Sequence, residues 1–304
     1  MSKETEKIFR DLHRFLDAHG GEDLSEEEME RLVSQFMEDY NAKLRSGAQN
    51  TPEEPETAYD YLELASEAKT KKKQLEYTNK ALELEPDSLD AGLAKIALTA
   101  KHPHEMLDEL ERLLKKGDAQ MEKEGFFRDS MGDFWGVFET RPYMRLRHEY
   151  FLTLLSVGMM RRAASVAERS LELSENDNLG NRYPLMCLYA YLEDEPAALA
   201  LLKRYGEYED SQFLLALAVL YYKLGRYKEA TDYLKRLQKI NKGTKKFLSA
   251  AARDNLEDID ERMGFGYRPF TSDEPLETVE ESMFLFDSVP AFFKWADKRL
   301  KAAK

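Results

Sequence analysis

The chain has 304 residues, with 58 acidic against 45 basic side chains and a formal net charge of −13. One cysteine, Cys187, excludes a disulfide framework and any cysteine-built zinc or iron–sulfur cage, and no run of eighteen apolar residues exists to span a membrane. The composition is helical, and the opening MSKETEKIFRDLHRF lacks the apolar core of a secretory signal, so the expectation is a soluble, cytoplasmic, all-α protein.

In chain order, Ile8, Phe9, Leu12, Phe15 and Leu16 share one helical face, and Gly20-Gly21 ends that first helix. Ser25 and Glu28 form a capping box for a second helix whose stripe is Met29, Leu32, Val33, Phe36, Met37 and Tyr40. Residues 1–45 therefore read as an N-terminal helical hairpin, and the polar stretch 46–56, with Pro52 and Pro55, reads as a linker. Helices then follow one another. One ends at Pro86 and the next begins near Ser88. Gly158 and Gly225 mark turns 67 residues apart, and Ala163 and Ala230 are small residues at the same spacing, which makes two periods of about 34 residues. Between them, Glu193-Asp194 and Ala198 supply the intermediate copy. A small residue on the second helix of each pair lets its partner approach closely, and stacked pairs bury a core that no single pair could.

Residues 117–142 interrupt this pattern with Gly125, Gly132 and Gly136 and read as an irregular insert. Beyond 241 come a helix over 244–262, an irregular loop over 264–275, and a segment carrying Phe284, Leu285 and Phe286. A last helix near 289–302, capped by Ser288, presents Phe292, Phe293, Trp295 and Leu300 on one face. Acidity sits at the two ends: residues 1–60 hold sixteen acids against seven bases, and 254–304 hold twelve against seven. The middle is balanced and has no basic stripe for phosphates, which argues against nucleic acid as a partner.

The stretches Leu-Gly-Arg-Tyr-Lys-Glu-Ala (224–230) and Ala-Leu-Glu-Leu-Glu-Pro-Asp (81–87) resemble the tetratricopeptide (TPR) repeat consensus, over roughly 57–241. The segments 133–145, 175–183 and 288–295 are similar to a bacterial family of TPR proteins without an assigned activity. Some relatives of that kind carry a Cys-rich metal module; this chain has no such cysteines. The resemblance implies a right-handed α-solenoid of TPR-like hairpins over 57–262, with a C-terminal loop and capping helix over 263–304.

No catalytic set assembles from the sequence. Gly264-Phe265-Gly266 lacks the rest of a phosphate-cradling loop; His102-Pro103-His104 reads as a helix start, and Cys187, among Leu185, Met186 and Leu188, as a structural thiol. The basic cluster Arg141, Arg145, Arg147, Arg161 and Arg162, together with Arg182, offers either an anion site, with Arg141, Arg145 and Arg182 as candidates, or internal pairing with Asp133 and Glu139. In the TPR frame the groove-facing residues are Tyr183, Cys187 and Ala190 in one repeat and Leu215, Val219 and Tyr222 in the next, an apolar and aromatic lining without the cations of a carboxylate clamp. The expected function is a non-catalytic scaffold binding a protein or peptide, without cofactor or metal. The alternative is an accessory subunit that contacts an enzyme through its N-terminal hairpin while its own C-terminal segment fills the groove, since a large exposed apolar face is uncommon.

Overall fold

A computed structural model describes residues 3–21, 25–46, 55–206, 209–259 and 268–302, which form seventeen α-helices and no strand. The chain divides into two compact units, Met1–Asp129 with Phe134–Leu146, and Ser130–Asp133 with Arg147–Lys304.

The first unit holds α1 (Lys3–Ala18), α2 (Glu26–Ser46), α3 (Ala58–Glu67), α4 (Lys71–Leu84), α5 (Leu89–Thr99), α6 (Pro103–Lys123), the short α7 (Phe126–Asp129) and the start of α8 (Arg141–Ser156). The starts of α2, α3, α4 and α5 carry side-chain caps that satisfy otherwise unpaired backbone N–H groups. Ser25 and Glu28 form the expected reciprocal box, at 3.1 and 3.4 Å. Thr57 and Asp60 form a second, and Thr70 and Ser88 cap α4 and α5. Consecutive helices α3 to α6 pack against one another in sequence order.

Two expectations for this region are corrected. Gly117, expected to open an irregular insert, lies inside α6, which continues to Lys123. A Cβ there would stand 2.9 Å from the Tyr143 ring and 3.3 Å from Leu89, so the glycine makes room for a close contact and does not break the helix. The irregular backbone follows it, where Phe127, Phe134 and Tyr143 cluster with centroids 5.6–6.0 Å apart. Nor does the N-terminal hairpin stand apart: α1 and α2 pack together, and α1 is ion-paired to α3 and α8 within the unit. Most of the expected linker, 47–54, lies outside the described residues.

The second unit contains α9 (Met160–Leu173), α10 (Arg182–Leu192), α11 (Glu195–Tyr205), α12 (Ser211–Lys223), α13 (Tyr227–Ile240), α14 (Thr244–Ala251), α15 (Asp273–Glu281), α16 (Met283–Asp287) and α17 (Phe292–Ala302). Three of its turns are built alike. Gly158, Glu193 and Gly225 have φ of +76, +59 and +72°. Each N–H donates to the carbonyl three residues back, and the next N–H donates five back: Met159 to Leu154 (2.9 Å), Asp194 to Tyr189 (2.9 Å) and Arg226 to Tyr221 (2.9 Å). This is the Schellman closure of a helix, which needs one left-handed residue. Five residues after each turn comes a fully buried alanine: Ala163, Ala198 and Ala230. A Cβ on Gly158 or Gly225 would meet nothing within 4 Å, so it is φ alone that favours glycine there.

The same closure ends α14 early. Asp254 has φ +59°, and the Asn255 N–H donates to Ala250 O at 3.1 Å, so the helix expected over 244–262 stops at Ala251. Ser288 does not cap the last helix: its hydroxyl donates back to Leu285 O (2.6 Å), closing α16, and α17 begins at Phe292. Within the expected 264–275 loop, 264–267 lie outside the described residues and α15 already begins at Asp273.

Candidate functional site

The residues expected to line an open groove lie on α10 and α12, and the structure covers them. α15 packs on both helices, α16 on α10, and α17 on α13 and α14. Cys187, Leu215 and Val219 are consequently buried. Cys187 faces Ser282, whose hydrogen bond offsets little of the effect of burial, and its thiol is pushed up to about 12. A thiol held neutral in this way is inert at neutral pH. Tyr222 packs against Trp295 (5.0 Å between centroids) and edge-on against Phe292 (5.4 Å). Tyr191 meets Phe284 edge-on at 5.7 Å. Tyr183 is also engaged internally: its hydroxyl accepts from Arg182 Nη2 (2.9 Å) and donates to Asp210 (3.3 Å), while its ring stands on Phe213. Cys187, Leu215 and Val219 are thus inaccessible, while Tyr183 and Tyr222 remain half-buried. The reason is energetic: burying Phe, Tyr and Trp side chains stabilises by several kcal/mol each on the scale of about 25 cal/mol per Å², and the aromatic C-terminal segment supplies the matching surface.

The three candidate anion-binding arginines are likewise satisfied from within the chain, though not by the expected acids. Arg141 is 1% exposed. Its Nε donates to Trp135 O (2.8 Å), its Nη1 reaches Glu6 at 3.4 Å, and its guanidinium lies 4.0 Å from the Phe138 ring centroid. Arg145 forks two carboxylates, with Nη1 2.9 and 3.0 Å from the oxygens of Glu6, and Nε and Nη2 at 2.9 and 2.6 Å from those of Asp90. Burial pulls the Arg145 pKa down, but the bonds to Asp90 and Glu6 outweigh it and raise the pKa above the ordinary value. Glu6 and Asp90 thus take the place that Asp133 and Glu139 were expected to hold. Asp133 forms an isolated bridge with Ser174 in the second unit instead.

Arg182 belongs to another polar cluster, in the second unit. Asp177, in a left-handed conformation (φ +48°), accepts from the backbone N–H of Asn181 (2.8 Å) and Arg182 (2.9 Å), and from Arg182 Nη1 at 3.4 Å. His148 Nδ1 donates to Asn181 Oδ1 at 2.9 Å. Burial raises the Asp177 pKa despite these partners. The cluster ties α8, the connector and α10 together. Arg147 is buried against Ser170, and Arg162, on the surface, donates to the Tyr150 hydroxyl at 2.6 Å.

Sequence reasoning missed Glu6, Asp90, Asp60 and Glu63. Two arginines four apart on one helical face called for carboxylates, but nothing local identifies Glu6 as one of them. His102 starts α6 without a side-chain cap, and Glu105 receives the Lys101 N–H at 2.9 Å instead. Among the described residues no group of three His, Cys, Asp or Glu side chains is placed to hold a metal ion, and no helix is long and apolar enough to cross a membrane. Neither protein-family models nor curated proteins show a match to the chain.

Proposed function

We propose that the chain is a non-catalytic scaffold of the tetratricopeptide type, a right-handed α-solenoid of helical hairpins that binds a protein partner. The observation that carries this reading is the recurrence of one module. A left-handed turn residue at 158, 193 and 225 is followed five residues later by a buried alanine at 163, 198 and 230. Repetition of one hairpin unit is the building principle of helical-repeat arrays, which usually serve as binding surfaces.

A second observation favours the accessory-subunit form of the reading. The α10–α12 face is already filled by α15 to α17, so a partner has to engage elsewhere, and α2 exposes Met29 and Met37 on the N-terminal hairpin. Flexible methionines suit an adaptable protein contact. The test begins with a tagged full chain expressed in its own cells, followed by rebuilding of the complex from the purified chain and whatever copurifies in equal amount. A defined complex weakened about tenfold or more by Met29→Glu with Met37→Glu supports the reading; a fold-change of that size is ~1.4 kcal/mol. A purified chain that turns over a small molecule unaided, and forms no such complex, overturns it.

A further inference from the structure

α1 is held to its unit by charge more than by apolar burial. Among its described side chains only one, the carboxylate Glu6, is buried, at 4% exposure. Ile8, Leu12, Phe15 and Leu16 are only half-covered and Phe9 is exposed. Of four charged residues at i, i+1, i+4 and i+8, three meet an opposite charge on the body of the unit and the fourth, Arg10, meets an aromatic ring. Glu6 meets Arg141 and Arg145. Lys7 pairs with Glu63, and Arg14 with Asp60 at 3.2 Å. The Arg10 guanidinium carbon lies 3.0 Å from the centre of the Tyr59 ring. Phe9 touches Phe138 at 4.9 Å. The receiving side chains come from α3, from α8 and from the turn before α8, so one surface reads one face of a helix.

The fit is also imperfect at one place. Arg10 Nε and Nη2 are buried without a hydrogen-bond acceptor, and burial pulls the Arg10 pKa down against the pull of Tyr59 and Glu6. Leaving charged donors desolvated and unpaired costs free energy. A helix that is charge-matched at three positions, misfitted at a fourth and thinly covered by apolar contacts has the character of a replaceable ligand.

We propose that the surface formed by Tyr59, Asp60, Glu63, Arg141 and Arg145 is a receptor for an amphipathic helix of a partner protein, and that α1 occupies it in cis until that helix displaces it. The partner helix carries a carboxylate where Glu6 stands and cations one and eight residues later, as α1 does. This deepens the scaffold reading and rests on it, by naming the surface, the chemistry of the partner and the contact that regulates access.

The probe is a synthetic, isotopically marked peptide of residues 3–18, added to the full-length chain. A docked α1 taxes the apparent affinity by the fraction of time it leaves the site. Release of α1 by Glu6→Ala in the chain is therefore expected to tighten binding of the native peptide by about tenfold or more. The gain should shrink in high salt, which screens such pairs, and a peptide that itself carries Glu6→Ala should lose it. Equal affinity of the two chains for the native peptide overturns the proposal. Should the Glu6→Ala chain melt poorly, hydrogen exchange on the unaltered chain decides: saturating peptide must speed exchange in the chain's own α1, and unchanged exchange overturns the proposal. If this displacement fails while the copurified partner still binds, the α1 inference falls alone; absence of any partner strikes the scaffold reading instead.

Discussion

Phe292→Ala tests how firmly the C-terminal segment is built into the second unit. The Phe292 ring is fully buried and meets Tyr222, Phe293 and Trp295 at centroid distances of 5.4, 5.4 and 6.0 Å. Deleting a buried Phe side chain typically costs about 3–5 kcal/mol, lost transfer energy plus the cavity left behind. An independent check agrees: ~200 Å² of buried ring at ~25 cal/mol per Å² is about 5 kcal/mol. At about 2–4 °C per kcal/mol for a unit of this size, the melt should fall on the order of 10 °C. Circular dichroism follows the melt, and an apolar-surface dye reports whether Tyr222 and its neighbours become accessible. Phe270→Ala is the control, since that ring is 60% exposed and should change stability by no more than ~0.5 kcal/mol. An unchanged melt for Phe292→Ala, with no dye uptake, would refute the claim that this helix seals the α12 face.

Ala163→Leu and Ala230→Leu each insert bulk at a fully buried position and should destabilise by about 1–3 kcal/mol through overpacking; a neutral denaturant titration for either would break the repeat register. Gly158→Ala and Gly225→Ala should each cost about 1 kcal/mol although a Cβ there has open space, because the left-handed φ is what the new residue resists. A melt unmoved by both would refute that attribution. The Cys187 thiol, raised from an ordinary 9.0 to about 12 by burial, binds its proton more tightly folded than unfolded. Its contribution to stability is therefore complete below about pH 9 and lost as pH rises toward 12. Cys187→Ala should lessen the alkaline fall in unfolding free energy, and a thiol reagent at pH 8 should label the unaltered chain only after denaturation. Arg141→Met should lower the stability of the first unit by about 1–3 kcal/mol, because it takes a buried donor from the Trp135 carbonyl while Glu6 keeps Arg145; a variant melting like the parent would show that this guanidinium is dispensable.

What the sequence made legible is what local chemistry decides. Ser25 with Glu28, and Ser88, cap as expected because a cap is satisfied within three residues. Gly158, Gly225 and the buried alanines behind them are visible as spacing, and their roles follow from backbone geometry. Glu193 shows the limit. It adopts the same left-handed turn without being glycine, so only its place in the period reveals it. The ion pairs were not legible. Arg145 advertises a need for acids, yet Glu6 lies 139 residues away, and the nearer Asp133 and Glu139 are the natural but mistaken choice. Ser288 misled for a related reason: a serine before a proline looks like a helix start, whereas its hydroxyl finds the carbonyl of the helix just ended. Whether an apolar face on α10 and α12 is open or covered depends on contacts made by segments far along the chain, and no periodicity encodes them.

The packing of Phe292 and Trp295 on Tyr222 also sets a timetable for synthesis. Phe292 is made 70 residues after Tyr222, and at about 5–20 residues per second that interval lasts roughly 4–14 seconds. During it, α10, α12 and α13 have emerged in sequence order and can pair with their neighbours, but their aromatic seam has no partner. A nascent chain stalled between 223 and 291 would therefore present to the cell a sticky face that the finished protein never shows, and folding chaperones rather than binding partners are its natural first visitors.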